Sequence, residues 1–404
     1  MNLITAVSVL VIVAGLSDWL TERVPRVQRG IFYVVFLTIY ILYTAKLYYG
    51  PDIRFYVPFY ESLPSWQTVL YGGRQWQYEW GFVFFCSILK SIGFSFWGMT
   101  AVISTLYFVA LLHLLEQVEK KRCFALMCIV VLDSTLITVA LRQCLAVAFF
   151  IFMVLAWQKK RYVVSFACML CVAACHKSGL IAILFPVLFV LVHNMRVTES
   201  WYELLIVVLM LMVLVPMAQL TSPIINRLPL PQELYQSAHH HLQLGRQIQM
   251  VAVLYMVVLL LGEHYTRYEH TYWQKVTVVA IAGMAVVVAL YQYYYLLNRI
   301  RSYFVPFVVV QLLELVQRTD KATAYRVPYN ALLRQTAALI VFVYIGFYTW
   351  RFERNTAQYS VPLYKASTVL DLRDAEMWQV RNRQMEIAKG YWANDFMKGE
   401  ANLL

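Results

Sequence analysis

A few ionisable side chains stand against otherwise apolar runs in this chain. Arg142 and Gln143 interrupt "ITVALRQCLAVAFFIF", and His176, Lys177 and Ser178 end another run in "CHKSG". Arg299, Arg301 and Tyr303 share "LNRIRSYF", Asp52, Arg54, Tyr56 and Tyr60 share "GPDIRFYVPFY", and Glu79 precedes "WGFVFF". A charge at the centre of a bilayer helix costs about 3 kcal/mol even on the lenient insertion scale, so ionisable groups at such depth are functional candidates. Guanidinium forks match phosphate oxygens bidentately and stay charged at any accessible pH. Arg142, Arg299, Arg301 and Arg54 are therefore candidates for gripping a phosphate or diphosphate. His176 is a candidate general base by its ordinary imidazole chemistry, and Asp52 or Glu79 could serve if burial raises their carboxyls. Tyr56, Phe59, Tyr60, Tyr71, Trp76, Tyr78 and Trp80 crowd one stretch and could form a wall for sugar rings. Gln143, Tyr56, Tyr60, Lys177, Ser178 and Tyr303 complete the candidate substrate contacts. Together these residue types suit a lipid-linked phosphate that carries sugars.

Each candidate also has a purely structural account. Arg142 could snorkel to an interface or pair with a structural carboxylate. Arg299 and Arg301 are two apart and point to different faces of a helix, so they fit an extended turn, or one is simply interfacial. His176 could be an interface histidine, Asp52 and Arg54 could pair with each other, and Glu79 could sit at the N-cap side of a short helix. Aromatic clusters often form interfacial belts. Cys168, Cys171 and Cys175 follow helical spacing beside His176, but no second ligand pair with metal-site spacing accompanies them. The run His239, His240 and His241 reads as solvated loop. No metal or cofactor is expected.

The elements that must position these residues follow from composition. Hydrophobic residues make up 61% of the 404, charged residues 14%, and the mean hydropathy is +0.60. Soluble domains sit near half apolar and a quarter charged, so the fold class is an all-α polytopic membrane protein. The net charge of +12 gathers in short loops between apolar runs, which marks cytoplasmic loops; no basic soluble domain exists to bind nucleic acid. About twelve spans are expected near residues 2–20, 31–49, 96–115, 123–139, 141–157, 162–176, 178–193, 201–220, 247–262, 276–296, 303–317 and 335–350. The first apolar run lacks a basic leader and is followed by Arg23, Arg26 and Arg29, so it reads as a span and not a cleaved signal. The basic breaks, from "TERVPRVQRG" to "RTDKATAYR", then face the cytoplasm and both termini face outside. "EWGFVFFCSILKSIGF" is too short to span and reads as an outer interfacial half-helix within a loop at 50–95. A second outer loop covers 221–246, and the tail 351–404 can form an amphipathic surface helix after the 1–350 membrane domain. On this topology Arg142 lies at the outer end of its helix, where the insertion cost shrinks and the other candidates gather.

The order of these segments resembles the EpsG family of bacterial polysaccharide-assembly membrane proteins, which look like Wzy-type O-antigen and capsule polymerases. The resemblance is carried by "GPDIRFYVPFYES", "YEWGFVFFCSILKSIGFSFWGMTAVIS", "LRQCLAVAFFIFMVLAWQKKRY", "LCVAACHKSGLIAILFPV" and "LNRIRSYFVP", over about residues 30 to 315. Gly179 stands where the pattern leads one to expect alanine, and the tail has no counterpart in it. The resemblance implies a bacterial inner-membrane glycosyltransferase, similar to metal-independent lipid-linked glycan polymerases and ligases with a GT-C-like helical fold. Its substrate would be an undecaprenyl-diphosphate-linked oligosaccharide at the outer leaflet, with a flippase and a chain-length regulator of the same pathway as partners. Two other classes fit the same cations: a flippase or exporter of lipid-linked glycan, and a metal-dependent glycosyltransferase using a polyprenyl-phosphate sugar.

Overall fold

The computed structural model describes residues 10–47 (less 11–12, 19 and 22), 53–71, 78–118, 121–180 (less 134–135 and 138–139), 185–190 (less 188), 302–310 (less 308) and 367–368. Their regular structure is helical apart from a two-residue antiparallel pair, Lys46–Leu47 (β1) with Ser367–Thr368 (β2). The helices are α1 (Pro25–Thr44), α2 (Ile53–Ser62), α3 (Trp66–Tyr71), α4 (Trp80–Ser91), α5 (Phe96–Leu115), α6 (Arg122–Leu132), α7 (Leu141–Gln158) and α8 (Tyr162–Cys175). A single 3₁₀ turn, Lys177–Leu180, follows α8, and residues 302–307 are helical. Among the described residues, α1, α5 and α7 are long and apolar enough to cross a membrane by length and composition.

Local chemistry explains the boundaries. α1 starts at Pro25, six residues before the span expected at 31–49, because proline supplies a preset φ at a position whose N–H has no helical partner. The half-helix α4 matches the segment read as too short to span. Its end is closed by Gly93 in the left-handed region (φ 94), with Phe94 N–H reaching the Leu89 carbonyl and Gly93 N–H the Lys90 carbonyl. Ser95 then caps α5, its side chain accepting from Gly98 N–H. Within the span expected at 123–139, α6 is 11 residues long and is followed by Asp133, a fully buried carboxylate that accepts from Ser302 Oγ at 3.1 Å, and residues 136–137 are again helical. Most of the spans expected beyond residue 190, the loop at 221–246 and nearly all of the tail lie outside the described residues.

The α7–α8 hairpin sets the geometry of the site. Its turn holds Lys160 in the left-handed region (φ 57), with Arg161 N–H bonded to the Ala156 carbonyl and Lys160 N–H to the Trp157 carbonyl, both at 2.9 Å. Such a tight reversal lays α8 antiparallel on α7, which also packs on α5. The core is aliphatic and aromatic: Phe150 on α7 meets Phe185, Tyr303, Phe304 and Phe307 edge-on at 5.3 to 6.0 Å between ring centres.

Candidate functional site

An antiparallel hairpin returns the C-terminus of α8 to the N-terminus of α7, and there the polar residues converge. Arg142 occupies the first turn of α7, and His176 is the C-cap of α8 with extended backbone. The α4 helix docks its start against the end of α8, because Gly81 has no side chain to hold it off. A Cβ at Gly81 would lie 2.5 Å from Ala174 Cβ and 2.8 Å from the Ala174 carbonyl carbon and oxygen. That approach places Glu79, the residue before α4, between the two ends of the hairpin.

Glu79 bridges them. Its Oε2 accepts from Arg142 Nη1 at 2.5 Å, and its Oε1 accepts from Lys177 N–H at 3.1 Å. Arg142 Nε donates to Tyr56 Oη at 3.0 Å, and the guanidinium carbon sits 4.5 Å from the centre of the Tyr78 ring. Tyr78 is in turn braced by Phe59 and Tyr56, at 4.6 and 5.5 Å between ring centres. The ion pair is largely withdrawn from water, Arg142 being 19% exposed and Glu79 10%. Burial raises the Glu79 carboxyl, but its own backbone N–H, the charge and hydrogen bond of Arg142 and the Lys177 N–H outweigh it and hold the group below the ordinary carboxyl range. Although Glu79 is the N-cap residue of α4, its side chain makes no cap hydrogen bond; it turns across to the hairpin instead.

A second chain of hydrogen bonds begins at His176. Ser178 N–H donates to His176 Nδ1 at 3.1 Å, and Ser178 Oγ lies 2.6 Å from the same nitrogen. Tyr303 Oη is 3.3 Å from Ser178 Oγ, and Tyr303 is fully buried beside Phe150. The 3₁₀ turn that carries Lys177 and Ser178 presses on α8 so closely that a Cβ on Gly179 would meet the Val172 carbonyl oxygen. Glycine therefore replaces the expected alanine for a steric reason.

Of the sequence-selected residues, Tyr56, Glu79, Arg142, His176, Lys177, Ser178 and Tyr303 come together here. Gln143 is buried in the first turn of α7. Tyr60 lies apart from the Arg142 cluster: it is buried, and its hydroxyl donates to the Phe94 carbonyl at 2.8 Å. Arg54 is in α2 but its side chain is outside the described residues, as are Asp52, Arg299 and Arg301. Two features escaped the sequence reading. Tyr78 was legible only as one aromatic in a crowded stretch, with nothing to single it out as the face on which Arg142 rests. Asp133 stood in plain view as an acid inside "CIVVLDSTLI", the kind of membrane-depth carboxylate that invites scrutiny. Its partner Ser302 adjoins Tyr303, so this buried bond ties the helical segment 302–307 to the end of α6.

Comparison with known proteins adds the family. The sequence model of the EpsG family matches residues 31–361, which takes in every residue of the cluster. No curated protein and no solved structure matches the chain. With that match covering most of the chain and with its apolar helices, the protein belongs to the EpsG family of polysaccharide-assembly membrane proteins.

Proposed function

We propose that the chain is a polymerase that joins oligosaccharide repeat units carried on undecaprenyl diphosphate at the outer leaflet of the bacterial inner membrane. The observation that carries this reading is the Arg142 cluster: a cation with a bidentate fork, a carboxylate, an imidazole and tyrosines at the N-terminal end of the membrane-length helix α7. In the reaction, an acceptor sugar hydroxyl attacks the donor's anomeric carbon. The new C–O bond forms as the bond to the diphosphate breaks, with its electron pair leaving on the diphosphate. Negative charge grows on that leaving group, and a fixed cation in a water-poor site stabilises it. Arg142 takes this role, with Arg299, Arg301 and Arg54 assigned to assist. Attack opposite the leaving group inverts the anomeric centre. The proton goes to a base on the acceptor side.

The test uses full-length protein in lipid nanodiscs with a defined undecaprenyl-diphosphate oligosaccharide. A ladder of longer glycans is expected, with or without a chelator. Arg142→Ala should lower the rate by about 10²-fold or more, as removal of a leaving-charge stabiliser does. Arg142→Lys should recover only part of it, because the fork is lost. Wild-type chain-length patterns from Arg142→Ala would refute the assignment, and movement of intact labelled lipid across the bilayer without a ladder would favour a flippase.

A further inference from the structure

His176 and Glu79 are the two described residues that could take the acceptor's proton, and the hydrogen bonds around them are unequal. Ser178 N–H can only donate, and it points at His176 Nδ1 at 3.1 Å. Nδ1 is therefore an acceptor, and the Ser178 hydroxyl 2.6 Å away must donate to it as well. Ser178 has then spent its one hydrogen, so Tyr303 Oη donates to Ser178 Oγ across 3.3 Å. A neutral imidazole with Nδ1 accepting carries its hydrogen on Nε2. In this arrangement both ring nitrogens are committed: one lone pair is filled by Ser178, and the other nitrogen is a donor. In this tautomer His176 is poorly built to remove a proton.

Glu79 is the reverse case. Both its oxygens are acceptors now, one for Arg142 Nη1 and one for Lys177 N–H. Arg142 Nη1 is engaged by Glu79 and Nε by Tyr56, so each two-nitrogen edge of the guanidinium already has one donor in use. A diphosphate that takes the Nη1–Nη2 edge competes with Glu79 for Nη1, and it brings more charge and more oxygens. We infer that Glu79 is the base for the acceptor hydroxyl and that Arg142 keeps it idle until the donor's diphosphate displaces it. The hydroxyl oxygen then bonds to the anomeric carbon, its proton passes to the freed Glu79 carboxylate, and the diphosphate departs on Arg142. A base released only when the donor is bound protects that donor from unproductive activation of water. This inference rests on the diphosphate-glycan reading above.

The test separates the two. Inorganic pyrophosphate binding and ladder formation are measured on full-length wild type, Glu79→Gln and Glu79→Asp in nanodiscs. Glu79→Gln removes the competing charge, so pyrophosphate should bind about tenfold tighter, the equivalent of about 1.4 kcal/mol. The same variant should polymerise about 10²-fold or more slowly, the usual loss for a missing general base. Tighter binding with a lost rate is a combination that simple misfolding does not produce. Glu79→Asp keeps a charge beside Arg142 and should bind pyrophosphate within about threefold of wild type. His176→Ala should lose less rate than Glu79→Gln, since His176 does not take the proton. The inference is overturned if Glu79→Gln polymerises at the wild-type rate or binds pyrophosphate no tighter. It is overturned equally if Glu79→Asp binds tenfold tighter, or if His176→Ala polymerises more slowly than Glu79→Gln. Failure of wild type to form any ladder instead removes the polymerase reading itself.

Discussion

The close approach of Gly81 to Ala174 gives a prediction whose size follows from the distances. Replacing Gly81 with alanine adds one methyl group, 2.5 Å from Ala174 Cβ and 2.8 Å from the Ala174 carbonyl carbon and oxygen. Carbon atoms at rest sit about 3.5 to 4.0 Å apart, so the start of α4 must retreat by about 1 Å. No side-chain rotation relieves the clash, because the atoms it meets are a Cβ and the backbone. Glu79 lies two residues before Gly81 and moves with it. Its 3.1 Å bond to Lys177 N–H would lengthen to about 4 Å, beyond hydrogen-bond range. Overpacking of this kind costs about 1 to 3 kcal/mol, and a displacement of about 1 Å in positioned groups costs about 10²-fold in rate.

The assay pairs thermal unfolding of the solubilised protein with initial ladder rates in nanodiscs. Gly30 supplies the internal control: it lies within α1, and a Cβ added there would meet no atom within 4 Å. Gly30→Ala should be neutral or stabilise by up to about 1 kcal/mol, since alanine suits a helix interior better than glycine. If Gly81→Ala unfolds and polymerises like wild type, the docking of α4 on α8 does not position Glu79 as argued.

Three further predictions rest on separate contacts. Gly179→Ala drives a Cβ into the Val172 carbonyl oxygen and should displace Ser178 from His176, with ladder rate falling more than the unfolding temperature; wild-type rate would refute it. Ser302→Ala leaves Asp133 Oδ1 without that hydroxyl and should destabilise by about 1 to 3 kcal/mol in denaturant unfolding, whereas no change would show the bond to be inert. The folded Glu79 carboxyl titrates below its ordinary value of 4.5, so its ion pair stabilises the fold fully above that pH and loses the contribution as pH falls through the lower folded value. The stability gap between wild type and Glu79→Gln should therefore narrow on acidification below about pH 4, and a gap that widens there would contradict the pairing.

How much of this was legible in the sequence depends on whether a feature is local. The half-helix at 80–91, the start of α7 just before Arg142 and the end of α8 at His176 are set by apolar run length and short basic breaks, and all three were readable. The juxtaposition of Arg142 with His176 was also close to readable. "WQKKR" is too short for anything but a tight reversal, and a tight reversal returns one helix end to the other. The Glu79 contact was not readable, because it spans 63 residues and depends on what glycine at 81 permits against alanine at 174. Nothing in the spacing around Glu79 distinguishes a helix-capping acid from one turned across to a cation. The helix break at Asp133 is hidden from the sequence for the opposite reason. Asp133 was visible, but a long apolar average smoothed over one acid that finds its partner 169 residues away.

The setting of Arg142 carries its own argument. The first turn of a helix bears partial positive charge from its unpaired N–H groups, so a cation there is placed against the dipole. An apolar helix has no stability reason to put its arginine at that end. Glu79 offsets the unfavourable field at rest, and the Tyr78 face covers the guanidinium where water is thin. The pair is then neutral as a unit, and the helix N-terminus behind it still favours an anion. An anion that takes the Nη1–Nη2 edge must compete with a carboxylate already bonded to Nη1. Monovalent anions are poor competitors on charge alone, whereas a diphosphate offers paired oxygens to the fork and excess charge to the helix end. On the proposed reading the resting ion pair works as a filter as well as a counter-charge, and selectivity for diphosphate follows from the same contact that neutralises the arginine at the helix end.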